Sequence, residues 1–537
     1  MSDRGVCLMK KTLSALALAL GLTPIGAGVH AEDHATQKHK GRYLDVQLLG
    51  VNDFHGQIDI TRNVAGEPVG RADYLASYLK MRERENPNTL LVHAGDMVGA
   101  SSPTSALLQD EPTVEIMNKM GFDVGTLGNH EFDEGVDEMM RLIKGGTHEK
   151  TGYFRGADFP YVVANVIDKK TKKNILPPYV IKKVKGVNIG FIGVVFSDTP
   201  DIVIPSGTAG VEFIDEAEAI NKATKSLKKK GVKSIVVLAH NPVEQSATGE
   251  VSGELVDMAN RVDDEVDVMF GAHNHRNVNA VVDNKLLVQA FSYGTAFADV
   301  DLKIDRRTKD IVKSKAEVVS VLQKGVKPDS RVTKIIKQAE DQVAPIINEV
   351  VGNTNQLLSG AEAYNGESEL GNVIADSMTE QTGTDFAFMN PGGIRDVINP
   401  GEVTWGELFN VQPFGNDLVT MTLTGAQIKE LFESQWATDK EKMLQISGLK
   451  ATFDLSKPVG DRTVSMVKSD GTPIAAEQEY TVTVNNFMAG GGDGYTVLLE
   501  GKNPTVSVTD LEALVNYFKN RDTVSAQIEG RITKINP

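Results

Sequence analysis

The chain has a single cysteine, Cys7, in 537 residues. That scarcity excludes a disulfide framework, thiolate metal ligands and a cysteine nucleophile. Positive charge is also short: 56 Lys and Arg face 72 Asp and Glu, a net charge of −16. Nucleic-acid polymers are bound by neutralising phosphates with surface cations, so no nucleic-acid polymer is expected as partner. An anionic small substrate would need positive charge supplied locally, and divalent metals are one source. Histidine stops at His275, which confines imidazole chemistry to the first half of the chain. Apolar runs of membrane-spanning length are missing too. The one N-terminal run, Leu13 to Leu22, is too short to cross a bilayer, and Ile532 to Pro537 does not resemble an anchor.

That N-terminal run has another reading. Lys10-Lys11 precedes it and Val29-His30-Ala31 follows as a small-residue cleavage site, so residues 1–31 are expected to be a secretory signal peptide and the protein to be secreted or periplasmic. Cys7 lies ahead of the apolar stretch, the wrong place for a lipid-anchor cysteine, and no stable membrane anchor is expected. The remainder, in a chain 41% hydrophobic and 24% charged overall, has the composition of a globular protein with a full core.

Five times an apolar strand runs straight into Asp, Asn or His. Leu48 to Val51 enters Asp53-Phe54-His55, Leu90 to Val92 enters His93 and Asp96, and Val124 to Leu127 enters Gly128-Asn129-His130-Glu131-Phe132-Asp133. Ile235 to Leu238 then enters His240-Asn241, and Val266 to Phe270 enters His273-Asn274-His275. Open α/β sheets place ligands at the carboxyl ends of their strands. Carboxylate, imidazole and amide donors without thiolate suit zinc, manganese, cobalt, iron or nickel, and the available set is Asp53, His55, Asp96, Asn129, His240, His273 and His275. Its size fits two divalent ions sharing one carboxylate.

Helical patterns separate these strands, at Arg71 to Glu85, Pro112 to Met120, Glu134 to Lys144, Asp215 to Lys230 and Gly253 to Arg261, which predicts α/β layering. Tyr179 to Val195, broken at Lys185-Gly186, and Asn279 to Ala290, broken at Asp283-Asn284, read as hairpins. Ser330 to Val350 carries Val332, Ile335, Ile336, Ala339 and Val343 on one helical face, with Pro345 expected to kink or end it. It reads as a connector between a domain over 43–328 and a second α/β domain over 352–537. Thr404 with Glu407, Thr424 with Gln427 and Thr509 with Glu512 have the spacing of capping boxes there.

The five blocks, in this order, resemble those of the calcineurin-like metallophosphoesterases. From about Asp45 to Ile535 the chain is similar to one branch, the bacterial 5′-nucleotidases, which include periplasmic UDP-sugar hydrolases. The resemblance implies an α/β/β/α metallophosphoesterase domain, a helical linker at 329–351 and a substrate-binding 5′-nucleotidase C-terminal domain. It implies one metal on Asp53, His55, Asp96 and His275 and another on Asp96, Asn129, His240 and His273, and leaves the metal preference open; zinc, manganese or cobalt are the ions expected from the donor set. Some relatives have Gln where this chain has His275. It further implies that His130 pairs with Asp133 and contacts the phosphate, against the plainer reading of Asp133 as a helix N-cap.

In the second half the resemblance implies that Phe414 and Phe487 stack the base, Asn416 contacts it, Asp493 binds ribose, and Arg395, in the loop opened by Asn390, lies near phosphate. Several relatives have further arginines where this chain reads Ala363-Tyr364-Asn365-Gly366-Glu367, which favours nucleoside monophosphates over extended polyphosphates. The expected activity is hydrolysis of a small nucleotide to nucleoside and phosphate. A 2′,3′-cyclic-nucleotide phosphodiesterase or UDP-sugar hydrolase on the same site is the alternative. A non-catalytic surface protein would have lost a ligand or the His130–Asp133 pair, and a sulfur-oxidation relative would lack the pocket aromatics.

Overall fold

Alternate residues of the strand Tyr43–Val51 feed two different cores. Leu44, Val46 and Leu48 enter one, while Leu49 and Val51 enter another, as the two-residue period of a strand buried on both faces requires. The computed structural model describes residues 41–437 and 442–536; the expected signal peptide lies outside them. Residues 44–537 make up one compact unit.

Two sheets stack in the N-terminal half. The first has the order Asp310–Ser320, Ala296–Asp305, Tyr43–Val51, Thr89–His93, Val124–Gly125. The second runs Asn277–Val282, Lys285–Ala290, Val266–Phe270, Ser234–His240, Val187–Val195, Tyr179–Val184. Leu48, Val92, Phe191, Val236, Leu238 and Val268 fill the space between them. Outside the first sheet, helices Ala72–Glu85 and Glu111–Met120 cover Leu49, Val51 and Leu91, and outside the second, Glu216–Lys229 and Glu254–Arg261 cover Ile235, Val237 and Met269. This is the expected α/β/β/α layering. Each fully buried Leu or Phe in it contributes about 1.5–3 kcal/mol.

Parallel pairing brings the ligand-bearing ends together. Val51 lies opposite His93, and His93 opposite Gly125; in the second sheet Leu238 lies opposite Phe270. Three adjacent strands of one sheet and two of the other therefore end at one edge. Both expected hairpins are present, and Lys185, Gly186, Asp283 and Asn284 all have positive φ (46°, 92°, 46° and 60°), the conformation a two-residue turn needs.

The helix Ser330–Ile347 is bound into the N-terminal half. Its Val332, Ile335, Ile336 and Ala339 belong to the same core as Leu49 and Leu91. Pro345 sits in its last turn and the helix closes two residues later, capped at Asn348. The second half is built on the order Gln445–Ser447, Phe386–Met389, Glu479–Asn485, Asp417–Thr424, Lys502–Thr509, and its cores draw almost wholly on residues beyond Val351. Thr404 and Thr424 form reciprocal capping boxes with Glu407 and Gln427. At Thr509 only half of the expected box exists: its hydroxyl accepts from Glu512 N–H and no bond returns.

Candidate active site

All seven expected ligands converge at the shared edge of the stacked sheets. Five of them, Asp53, His55, Asp96, His273 and His275, hold a left-handed backbone, with φ of 48°, 50°, 50°, 80° and 57°. Non-glycine residues avoid that region at a cost on the order of 1 kcal/mol or more each, and such strain concentrates at functional sites. The loops cross closely. A Cβ on Gly95 would lie 2.5 Å from the backbone N of Gly128, and one on Gly128 would collide with the Asp96 carboxylate. Only glycine fits at these crossings.

Histidine orientation is set from behind. His55 Nδ1 is 2.8 Å from the Gly99 carbonyl and His240 Nδ1 is 2.9 Å from the Ala94 carbonyl. In both, Nδ1–H donates and Nε2 is left to face the site, the arrangement that fixes a ligating tautomer. His55 Nε2 meets His275 Nε2 at 3.2 Å, and His275 Nε2 lies 3.7 Å from Asp53 Oδ1. On the other side His240 Nε2 is 3.1 Å from Asp96 Oδ2, while Asn129 Oδ1 is 3.1 Å from His240 Nε2 and 2.9 Å from His273 Nδ1. Asp53, His55 and His275 form one group able to hold a cation, and Asp96, His240 and His273 another.

This donor set fits divalent cations. Burial pushes the Asp53 carboxyl up and the His55 imidazole down to about 3. Burial alone would also lower His240, but Asp96 and Asp53 outweigh it and carry the ring up to about 9. The His240 Nε2 faces only carboxylate and amide oxygens, so without a cation it must carry a proton. A cation in that position would satisfy the same oxygens and leave the imidazole neutral.

His130 stands beside the ligands. Its Nδ1 lies 2.8 Å from Asp133 Oδ2, its backbone N–H donates to Asp96 Oδ1 at 2.9 Å, and its ring is 5.0 Å from that of His55. Burial opposes the charged ring, but Asp133 and Asp96 prevail and raise its pKa. Asp133 is not the N-cap of the helix that follows; that helix, Val136–Lys144, starts from Gly135.

Phe414 reaches this centre from the second half. Its ring stacks on His130 at 5.7 Å and 15°, with the Arg395 guanidinium 5.6 Å from the Phe414 centroid. Phe487 lies apart from it, with its ring against Gly492. Asn390 ties the pocket together: its Nδ2 donates to Asp493 Oδ2 at 3.2 Å and its Oδ1 accepts from Asn485 at 2.9 Å. Asn416 is buried, and its carbonyl accepts from Asp510 N–H at 2.8 Å.

Several neighbours carried no separate signal in the sequence. The buried Glu131 carboxylate accepts from the N–H groups of Gly128, Asp96 and Met97 at 2.5, 2.9 and 2.9 Å, binding two ligand loops to one side chain. Asn52 Nδ2 donates to Asp53 Oδ2 at 2.6 Å. Lys442 Nζ donates to Asp493 Oδ1 at 2.8 Å. Tyr293, φ 60°, places its ring 5.1 Å from His275 and 5.6 Å from His55. His93 takes no part: its ring sits among Phe122, Phe159 and Tyr161 under the first sheet's edge.

Residues 46–277 match the calcineurin-like phosphoesterase family and residues 350–500 the 5′-nucleotidase C-terminal domain. The chain is 36% identical over 579 residues to the cell wall protein Lmo0130 of Listeria monocytogenes, covering 97% of this chain and 73% of that protein. The chain belongs to the 5′-nucleotidase family of metallophosphoesterases. Such a member is a metal-dependent hydrolase. It is also 46% identical over 517 residues to the endonuclease YhcR of Bacillus subtilis, spanning 94% of this chain but only 42% of that longer protein. A 5′-nucleotidase precursor from Thermus thermophilus superimposes with a TM-score of 0.80 at 29% identity, covering 92% of this chain and all of that one. Among the described residues no helix is long and apolar enough to cross a membrane.

Proposed function

We propose that the protein is an exported phosphomonoesterase that hydrolyses nucleoside 5′-monophosphates to nucleoside and inorganic phosphate. The observation that carries this reading is the stacking of Phe414, beside Arg395, on His130 at the edge of the ligand set. It puts an aromatic surface, a guanidinium and an imidazole within one substrate's length of the candidate metal centre. The likeness to the Thermus 5′-nucleotidase precursor supports the same substrate class.

Asp53, His55, Asp96 and His275 would hold one divalent ion and Asp96, Asn129, His240 and His273 the other, zinc, manganese or cobalt. Two such ions supply Lewis acidity toward phosphoryl oxygens and a water of lowered pKa. The chain's own residues position and protonate. Arg395 holds a phosphate oxygen by charge-assisted hydrogen bonds. His130, its Nδ1 held by Asp133, keeps its ring charged and offers the proton of the other nitrogen to the leaving ester oxygen. Phe414 and Phe487 take the base, Asn416 contacts it, and Asp493, oriented by Asn390 and Lys442, accepts from ribose hydroxyls. The domains divide at the helix 329–351, with 43–328 carrying the metals and 352–537 the nucleoside.

A second reading has its own support. The relative at 46% identity is named an endonuclease, which favours a phosphodiester, such as a 2′,3′-cyclic nucleotide, or a UDP-sugar on the same site. Parallel assays of the metal-loaded protein with AMP, 2′,3′-cyclic AMP and UDP-glucose separate the two. The proposal expects the highest kcat/KM for AMP; preference for the cyclic ester or the sugar nucleotide would replace it with the second reading.

A further inference from the structure

One buried amide fixes the loop that carries Tyr364. Gln445 is fully buried, and its Nε2 donates to the carbonyls of Ala363 and Gly366 at 3.1 and 2.8 Å. Its Oε1 accepts from the N–H and the hydroxyl of Ser368, each at 3.0 Å. The two carbonyls lie on either side of Tyr364 in the chain. Within the loop the N–H groups of Asn365 and Gly366 both donate to the Glu362 carbonyl at 2.9 Å. Tyr364 is therefore held through its backbone, while the residue remains 47% exposed.

The Tyr364 hydroxyl reaches the polar group around Asp493. A Cβ on Gly392 would lie 3.6 Å from both Tyr364 Oη and Asn390 Nδ2, and Asn390 Nδ2 donates to Asp493 Oδ2 at 3.2 Å. Lys442 Nζ donates to the other oxygen of Asp493 at 2.8 Å. Each carboxylate oxygen has one partner and keeps a second acceptor position. Asp493 holds a φ of 57°, a left-handed conformation that a non-glycine residue keeps only at a cost. Among the described residues the Tyr364 hydroxyl makes no hydrogen bond. Burial raises its pKa, with Arg395 opposing and Asp493 adding to the rise, so the hydroxyl keeps its proton and can donate.

We infer that Tyr364 is a specificity-determining residue that reads the sugar: its hydroxyl, beside the Asp493 carboxylate, selects ribonucleotides over deoxyribonucleotides. The inference rests on the nucleotide reading given above and narrows it to the sugar. An ionised Asp493 can only accept, whereas a tyrosine hydroxyl also donates. A sugar hydroxyl that gives its proton to Asp493 can therefore accept one from Tyr364, and a hydrogen in its place leaves both protein groups without that partner. Sites built to hydrogen-bond a substrate hydroxyl reject the analogue lacking it for this reason. A 2′,3′-cyclic ester offers no free hydroxyl at these positions, so the same pair disfavours it.

The test compares the metal-reconstituted full chain with its Tyr364→Phe variant, which keeps the ring and removes the hydroxyl. Substrates are AMP, 2′-deoxy-AMP and 3′-deoxy-AMP, and adenosine and its two deoxy analogues are titrated calorimetrically in parallel. Wild type is expected to prefer AMP to at least one deoxynucleotide, and Tyr364→Phe to lower kcat/KM for AMP about tenfold more than for that deoxynucleotide, chiefly through KM. The deoxynucleotide on which the substitution has the smaller effect identifies the hydroxyl held. Equal losses on all three substrates would overturn the inference by making Tyr364 a support of the pocket wall, and so would no change in the variant or no ribose preference in wild type. If wild type turns over none of the three, the nucleotidase reading has failed and the titrations decide. Tighter binding of adenosine than of a deoxy analogue, lost in Tyr364→Phe, would then uphold the sugar contact, and equal or absent binding would overturn it.

Discussion

His130 is held on three sides, by Asp133 at Nδ1, by Phe414 on its face and by Asp96 at its backbone N–H. None of these contacts requires its other ring nitrogen, which is the one available to substrate. His130→Ala should therefore lower kcat on AMP by about 10² to 10⁴, the range for loss of a positioned acid or charge stabiliser. Metal content measured on the same sample should stay at the wild-type value. Loss of metal together with activity would make His130 a ligand instead. Glu131 works differently, since it satisfies three backbone N–H groups in the loops that carry Asp96 and Asn129. Truncation leaves those donors buried and unpaired, at about 1–3 kcal/mol for such a group. Glu131→Ala should cost at least about 2 kcal/mol in urea unfolding and weaken metal binding about 10- to 100-fold, as loss of an orienting partner does. Unchanged metal affinity would remove Glu131 from that role.

Among the elements, the helix Ser330–Ile347 shows most clearly how a terminus is fixed. Asp329 caps it: its carboxylate accepts the Arg331 N–H at 2.9 Å and the guanidinium of the same residue at 2.8 Å, with Lys80 at 3.5 Å. The hydrogen bond from Arg331 is the main reason that the Asp329 pKa is depressed below its usual 3.8. A carboxylate with a depressed folded-state pKa stabilises the fold above its unfolded pKa, and that contribution is lost as pH falls below about 4. Asp329→Ala should lower the unfolding free energy by about 1 kcal/mol at pH 7. The gap to wild type should close as the pH is taken down toward 2, and a gap independent of pH would contradict the assignment. Elements of this kind were legible from local pattern. Strand ends, hairpin turns and two of the three capping boxes depend on neighbours a few residues apart. At Thr509 the spacing was right but the Glu512 side chain makes no return bond, a choice of rotamer that spacing does not encode. For the connector Ser330 to Val350, periodicity shows an apolar face without showing what covers it, which is the core shared with Leu49 and Leu91.

At the scale of the whole molecule, five strand ends from two stacked sheets meet, and a loop from the second half closes over them. The ligand types were readable because each follows its own strand in sequence. The residues around them were not: Tyr293 approaches His55 and Arg62 across more than two hundred residues, and Arg395 and Phe414 reach His130 from the other half. Such contacts are set by packing between halves, which a one-dimensional pattern does not record. The buried charges at the centre also have a global consequence. Cations binding the folded chain alone should raise its melting temperature, so adding manganese or zinc to chelated protein should raise it, and Asp96→Ala should remove most of the rise.

The measurement that bears most directly on the two-metal nucleotidase is phosphate release from AMP as chelated protein is titrated with manganese or zinc. The account predicts negligible release from the stripped chain and a rise that reaches its plateau at two equivalents of metal per chain. Full activity in the stripped protein, or a plateau at one equivalent, would contradict it.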